Sequence, residues 1–276
     1  MSSAAEPTQP PASPAEGKRV AVVTGASGGI GTGLVAAFRH AGYSVVATSL
    51  SISPSDDHDI LAVQSDITEI GPAQRVVKQA VDRFGRIDTL INTAGIFIGK
   101  PFTDYTLDDY EAIMAVNLAG FFHITQPVIR HMLTQGTGGH IVNITTSLVD
   151  HPDSTRPSAL ASLTKGGLAA VTRSLAIEYA SRGVRVNAVS PGVIKTPIHD
   201  PSSYEGMADL HPLGRIGEVS DIIDAILYLE GATFVTGEIL HVDGGQAAGH
   251  VERPPRHNQP SPIGRLRHEL PKTVRR

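Results

Sequence analysis

Near its start, the chain carries a strand-like run that leads directly into a glycine-rich turn. Residues 19–23 (Arg-Val-Ala-Val-Val) are rich in β-branched side chains, which is typical of a buried parallel strand. Residues 24–31 (Thr-Gly-Ala-Ser-Gly-Gly-Ile-Gly) follow at once, and residues 28–40 show a helical pattern. Glycines at such a junction let the backbone turn tightly and let its N–H groups approach a pyrophosphate at the helix N-terminus. This junction therefore predicts a dinucleotide-binding fold.

The rest of the chain alternates between strand-like and helix-like segments. Further strands are predicted at residues 43–48, 60–64, 87–91, 140–145, 184–189 and 238–242, and further helices at residues 72–84, 107–133, 158–182 and 219–230. Crossover helices make consecutive strands parallel. The fold class is therefore α/β: a doubly wound, Rossmann-type single domain over residues 18–248, with a mostly parallel seven-stranded sheet. Residues 49–59 are too few for a full crossover helix and predict a loop, and Pro127 predicts a kink in the longest helix.

Composition excludes several classes of protein. The chain has no cysteine, which excludes disulfides, thiolate nucleophiles and cysteine-bound metals. A net charge of −4 provides no general basic field, so we expect no nucleic-acid partner. His151, His199 and His211 lie on separate loops without ligand spacing, so no metal site is expected. No apolar run approaches the ~20 residues of a bilayer span, so we expect no membrane association.

The two ends of the chain differ from the domain between them. Residues 1–17 are rich in Pro, Ala and Ser and predict a disordered tail rather than a secretory signal, which fits a cytoplasmic protein. Residues 249–276 form a basic, proline-rich extension. A solvated tail and a segment that docks on a neighbouring subunit or an anionic ligand both remain open for this extension.

Eight motifs between residues 18 and 245 occur in the order typical of one enzyme family. They are residues 24–31, Ser65-Asp-Ile, Asn92-Thr-Ala-Gly, Val116-Asn-Leu, residues 141–147 (Ile-Val-Asn-Ile-Thr-Thr-Ser), residues 185–192 followed by Thr196, residues 212–215 (Pro-Leu-Gly-Arg) and residues 235–245. In these motifs the chain resembles the short-chain dehydrogenase/reductases. The resemblance implies an NAD(P)-dependent oxidoreductase that transfers hydride between nicotinamide and a small carbonyl, alcohol or imine substrate.

The resemblance also assigns site residues. It places cofactor binding at Gly25, Ser27, Gly29, Ile30, Gly31, Ser49, Asp66, Ile67, Asn92, Ala94, Gly95, Lys165, Pro191, Gly192, Ile194 and Thr196. It places catalysis at Asn117, Thr146, Ser147 and Lys165. In the family the asparagine organises a proton-relay water, and the lysine binds the nicotinamide ribose and lowers the pKa of a nearby hydroxyl.

One catalytic position departs from the family pattern. The family has a proton-donating tyrosine four residues before the lysine, and this chain has Ala161 there. A positioned general acid is worth ~10²–10⁴ in rate. Thr146, in place of a serine, keeps a hydroxyl.

Three interpretations of this departure are open. Another group could supply the proton. The candidates are His151, Ser158 and Ser162, and Lys165 acting through a water bound at Asn117. The substrate could need no acid, as an iminium would not. Alternatively, the protein could bind the cofactor with little chemistry, as a structural partner or redox sensor.

Cofactor choice and assembly follow from smaller features. Ser49 stands where the ribose 2′ position is read, and no acid, Arg or Lys accompanies it, so NAD or NADP is expected with a slight preference for NAD. Residues 107–133 and 158–182 carry more apolar surface than one sheet face can cover. In the family these helices pair across a two-fold axis and the chain end after the last strand makes a second interface, so the resemblance implies a homotetramer, with a homodimer as the alternative. Residues 96–102, 148–156 and 198–210 are expected to set specificity, yet the last two segments carry no paired charges that would indicate an acidic substrate.

Overall fold

The computed structural model describes residues 17–197, 202 and 204–251. The predicted tail at residues 1–17 lies outside the described residues except for its last residue. The predicted extension at residues 249–276 likewise lies outside them from residue 252 onward.

The described residues form one seven-stranded sheet in the order β3-β2-β1-β4-β5-β6-β7. Every neighbouring pair of strands is parallel. The strands are β1 (Val20–Thr24), β2 (Ser44–Ser49), β3 (Ile60–Gln64), β4 (Thr89–Asn92), β5 (Gly139–Ile144), β6 (Val184–Pro191) and β7 (Ile239–Val242). The α-helices are α1 (Gly29–His40), α2 (Ile70–Phe84), α3 (Leu107–Met114), α4 (Gly120–Gln135), α5 (Ala159–Tyr179), α6 (Tyr204–Ala208) and α7 (Val219–Gly231). The predicted doubly wound α/β class is confirmed.

Alternating side chains of the central strands feed two separate cores. Val20 and Val22 of β1 pack with α2, α4 and α5 on one face of the sheet. Ala21 and Val23 pack with α1 and α7 on the other face. Both faces are therefore covered, which explains why the strands are apolar throughout rather than alternating with polar residues.

The order of the strands creates a crevice beside β1. The chain runs from β1 outward to β2 and β3, and then returns to the other side of β1 to form β4. The connections after β1 and β4 therefore diverge at the carboxyl ends of these two strands. Ligands bind at such a switch point in doubly wound sheets.

Local departures from regular structure were only partly predicted. The segment between β2 and β3 contains no helix, as predicted from its length. The long helical stretch remains helical through Pro127, and its irregular part is a π-helix at Ala115–Ala119. A π-turn adds one residue to the helical repeat and is frequent at functional sites, and this one contains Asn117.

The stretch Leu107–Gln135 is long and apolar enough, by length and composition alone, to cross a membrane, with a mean hydropathy of 1.4. The expectation of no segment of this kind was therefore too strict. Ile124, Val128 and Met132 from this stretch pack into the core formed with α2 and the sheet. Part of the apolar surface of this stretch is therefore used in tertiary packing, as in a core helix of the domain.

A buried polar cluster ties the amino ends of the strands to α7. Glu230 accepts hydrogen bonds from Tyr43 at 2.7 Å and Thr89 at 3.0 Å. His140 Nδ1 lies 2.8 Å from its other oxygen, and Asn187 donates to His140 Nε2 at 3.1 Å. Because Nε2 accepts a hydrogen bond, His140 is neutral in this arrangement. Burial accordingly lowers the pKa of His140.

Candidate active site

A cavity of about 530 Å³ opens at the carboxyl ends of the central strands, at the switch point beside β1. This volume is typical of small-molecule and cofactor sites. The predicted site residues that line it are Gly25, Ser27, Gly29, Ile30, Gly31, Ser49, Ala94, Gly95, Thr146, Ser147, Lys165, Pro191, Gly192, Ile194 and Thr196. Tertiary structure therefore brings together residues that follow β1, β2, β4, β5 and β6.

The glycine-rich turn forms a cradle that larger residues could not form. Gly25 and Gly29 have φ angles of +64° and +53°, which favour glycine. A Cβ on Gly31 would lie 2.2 Å from the Gly25 carbonyl oxygen. Gly28 caps α1 in an extended conformation, and no side chain accepts a hydrogen bond from the first turn of the helix. A helix N-terminus without a side-chain cap fits a dinucleotide pyrophosphate.

Threonines fix the walls on both sides of this cradle. The Thr24 hydroxyl accepts hydrogen bonds from the backbone N–H groups of Thr93 and Ala94, each at 3.1 Å, and so joins the ends of β1 and β4. The Thr196 side chain lies across the cavity, 3.4 Å from where a Cβ on Gly29 would be. Thr93 Oγ1 is buried and has no hydrogen-bond partner among the described residues. A polar ligand in the cavity would suit this wall.

Lys165 extends from α5 into the cavity beside Gly95. Its Nζ donates to the Ile144 carbonyl at 2.8 Å and lies 3.0 Å from where a Cβ on Gly95 would be. Burial lowers the pKa of Lys165 to about 8. Ala161, one helical turn earlier, also lines the cavity, and it is 2% exposed against Ile113 and Leu160. The Lys165 ammonium therefore lies at the cavity wall, and position 161 contributes only a methyl group.

The two adjacent hydroxyls after β5 have different surroundings. Ser147 is 1% exposed, and its hydroxyl donates to Gln246 Oε1 at 2.9 Å. Thr146 is partly exposed, and its hydroxyl accepts only a long, 3.4 Å hydrogen bond from the Leu148 N–H. Thr146 is thus the hydroxyl that remains free to donate to a ligand.

Asn117 lies behind the cavity wall rather than on it. Its Oδ1 accepts from the Ile96 N–H at 2.9 Å, while its Nδ2 donates to the Ile96 carbonyl at 3.1 Å and to Thr164 Oγ1 at 3.1 Å. The π-turn points this amide at Ile96, which lines the cavity. The side chain therefore holds one edge of the cavity in position.

Three predicted cofactor residues also lie away from the wall. Asn92 is buried and donates to Thr125 and Asn143, each at 3.0 Å, so it joins β4 to α4 and β5. Asp66 is exposed and accepts from the N–H and hydroxyl of Thr68. Ile67 is buried against Gly120, where an added Cβ would lie 3.1 Å from the Ile67 side chain.

Sequence reasoning missed part of the wall. Gln246, just after the last motif, and Arg156 both line the cavity. Arg156 lies within a segment expected to set specificity, but that segment was judged by paired charges, and its single arginine was overlooked. Of the alternative proton donors considered, only Lys165 is on the wall. His151, Ser158 and Ser162 are not part of the described lining.

The strand order, glycine cradle and buried lysine together define a dinucleotide-binding oxidoreductase, and comparison with known proteins gives the family. Residues 25–247 match the family described as enoyl-(acyl carrier protein) reductase. Glucose 1-dehydrogenase of Gluconobacter oxydans is 37% identical over 249 residues, covering 83% of this chain and 91% of that protein.

Solved structures agree with this assignment. The 3-ketoacyl-(acyl-carrier-protein) reductase from Brucella melitensis, complexed with NADH, matches with a TM-score of 0.75 at 30% identity, over 83% of this chain and 98% of that one. ElxO with NADP bound matches with a TM-score of 0.77 at 27% identity, over 84% and 99%. The chain belongs to the short-chain dehydrogenase/reductase family of NAD(P)-dependent oxidoreductases.

Proposed function

We propose that this protein reduces a small carbonyl compound, or oxidises the corresponding alcohol, with Lys165 as the proton donor in place of a tyrosine. The observation that carries the proposal is the cation in the cavity wall, four residues after Ala161. Lys165 is the only one of the four alternative donors that lines the described cavity. The relatives named above are a dehydrogenase and a reductase, which favours catalysis over a purely structural role.

The proposed reduction balances with one hydride and one proton. The carbonyl carbon accepts a hydride, which nicotinamide supplies when it is bound. The carbonyl oxygen accepts a proton from the Lys165 ammonium, and the C=O double bond becomes a C–O single bond. The neutral Lys165 amine then recovers a proton from solvent. A pKa of about 8 suits this role, because an acid works best when its pKa is near the working pH.

Two other residues support this step in the proposal. Thr146 donates its hydroxyl to the substrate oxygen, because that hydroxyl has only a weak partner in the protein. Asn117 acts as a positioning residue, since it holds Ile96 through both backbone groups. The residues of the glycine cradle would hold the pyrophosphate, and Lys165 would bind the nicotinamide ribose.

The test compares wild type with Ala161→Tyr and Ala161→Phe. Nicotinamide absorbance is followed with ketones, secondary alcohols and cyclic imines, using each cofactor. We expect wild-type ketone reduction that slows as pH rises through about 8. We expect Ala161→Tyr to exceed Ala161→Phe by about tenfold or more, because the two differ only by the acidic hydroxyl.

The opposite outcome would favour a binding role. A wild type that binds NADH but turns over nothing, while Ala161→Tyr reduces ketones, would indicate a cofactor-binding protein whose acid has been lost. Turnover of imines alone would favour substrates that carry their own proton.

The cofactor preference is proposed to be slightly toward NAD. Ser49 ends β2, and its hydroxyl lies 2.6 Å from the Ser27 hydroxyl of the glycine turn. Neither serine carries charge to hold a 2′-phosphate or to repel it. Fluorescence titration should give a dissociation constant for NADH that is lower than that for NADPH by less than about tenfold. Tighter NADPH binding would contradict this preference.

A homotetramer is proposed from apolar side chains that the protomer leaves uncovered. Phe122 on α4, and Leu163 and Ile177 on α5, are 51%, 56% and 80% exposed. Phe234, after α7, is fully exposed and would belong to a second interface. Light scattering after size exclusion should give four times the protomer mass of 29.1 kDa. Ile177→Asp should reduce it, whereas a monomeric wild type would refute the assembly.

A further inference from the structure

Outside the glycine turn, part of the cavity wall is apolar apart from one arginine. Phe97, Leu148, Ala161 and Leu210 line it together with Arg156. Gly99 lies close to both Phe97 and Pro157, the residue next to Arg156. A Cβ added to Gly99 would be 3.1 Å from the Phe97 ring and 3.4 Å from the Pro157 carbonyl oxygen. We call these five lining residues the distal end.

Arg156 is available to a ligand. Among the described residues, no carboxylate forms an ion pair with its guanidinium, and no hydrogen bond from its side chain is found. The described cavity wall contains two cations, Lys165 and Arg156, and no acidic side chain. This excess of positive charge contrasts with the net charge of −4 for the whole chain.

The nearby Asp153 carboxylate interacts with the Arg156 charge, which helps to lower the pKa of Asp153 after the hydrogen bonds from Thr155, but the two side chains form no ion pair among the described residues. The Asp153 carboxylate accepts from the N–H and hydroxyl of Thr155, each at 2.8 Å. The Asp243 carboxylate accepts from the N–H groups of Gly245 at 2.9 Å and Ala247 at 2.7 Å. Both acids are therefore turned toward backbone groups. Burial, with a smaller contribution from the Arg156 charge, lowers the pKa of His211.

The strand order favours a role for Arg156 toward the substrate rather than the adenosine ribose. Arg156 follows β5, whereas Ser49 ends β2, and these strands are three places apart in the sheet. At the ordinary strand spacing this is roughly 14 Å. We therefore expect a charge at the distal end to affect substrate binding more than the choice between NAD and NADP.

We propose that Arg156 binds the carboxylate of an anionic carbonyl substrate whose apolar body packs against Phe97, Leu148 and Leu210. A guanidinium fork matches a carboxylate in two parallel hydrogen bonds. Ala161 leaves room for the body of such a substrate beside Lys165. The inference rests on the proposed function, because it specifies the substrate class of the same site.

The experiment measures binding without turnover. The full-length protein with NAD⁺ is titrated by calorimetry with 4-oxo-4-phenylbutanoate and with its neutral primary amide. Oxidised cofactor prevents reduction of either ketone. We compare wild type, Arg156→Gln and Arg75→Gln, the last removing the same charge from an exposed site on α2. We expect wild type and Arg75→Gln to prefer the acid by roughly 10- to 100-fold, and Arg156→Gln to lose that preference.

The outcomes separate the inference from the function on which it rests. Equal binding of acid and amide by wild type, or a preference retained in Arg156→Gln, overturns the inference alone. Absence of NADH binding by fluorescence overturns the proposed function and the inference with it. Normal NADH binding in Arg156→Gln, with selective loss of the acid, supports both.

Discussion

Replacing Lys165 with methionine should stabilise the protein while removing its activity. The ammonium is buried, and its pKa falls from 10.5 to about 8. This difference corresponds to about 3 kcal/mol of unfavourable free energy whenever the lysine is charged in both folded and unfolded states. The lost hydrogen bond to the Ile144 carbonyl offsets about 1 kcal/mol. We therefore expect Lys165→Met to raise the free energy of unfolding by about 2 kcal/mol at pH 7.

The gain should depend on pH with a definite sign. Below pH 8 the lysine is charged in both states, and its full cost is present. Between pH 8 and 10.5 the folded protein loses the proton first, so the stability of wild type rises relative to the variant. The difference between the two proteins should therefore shrink across this window.

Urea denaturation followed by circular dichroism measures this difference, because the chain has no tryptophan to report unfolding by fluorescence. Both proteins are compared at equal concentration from pH 7 to 10.5 without cofactor. A variant less stable than wild type at pH 7, or a difference that does not change with pH, would refute the argument that burial depresses the Lys165 pKa. The same result would weaken its assignment as proton donor.

Three further predictions concern the cradle, the hydroxyls and the polar cluster. Gly31→Ala should lower stability by more than ~2 kcal/mol, because its methyl would meet the Gly25 carbonyl at 2.2 Å, and thermal unfolding should show no such loss for Gly28→Ala, whose methyl meets nothing within 4 Å. Thr146→Val should lower kcat about tenfold or more with the fold intact, whereas Ser147→Ala should leave kcat within about twofold and cost ~1 kcal/mol in denaturation. Stability should fall as pH drops below about 6.5, because the unfolded chain then binds a proton at His140 that burial disfavours in the folded protein. Urea midpoints independent of pH from 7 to 5 would contradict this.

Much of the fold could be predicted because its signals are local. The β-branched run at β1 and the glycines that follow it lie within a dozen residues, and each fixes its own backbone conformation. The absence of a helix between β2 and β3 followed from chain length alone. The π-turn could not be predicted in this way, because the amide of Asn117 is held by Ile96 and by Thr164, 47 residues further along. Pro127 lies inside α4, and the kink expected at this residue stays a prediction.

The candidate site also has features that depend on neighbouring residues and features that depend on distant ones. The cradle from Gly25 to Gly31 lies in consecutive residues, so sequence alone indicated the family, whereas the interpretation of Ala161 as a replaced catalytic tyrosine stays a prediction. Only tertiary structure decided that the Thr146 hydroxyl has a weak partner while the Ser147 hydroxyl is bound to Gln246, 99 residues away. Only tertiary structure also placed Arg156 at the distal end without a carboxylate partner among the described residues. Backbone conformation and helical spacing depend on near neighbours, whereas burial, pairing and pKa depend on which distant segments share a cavity.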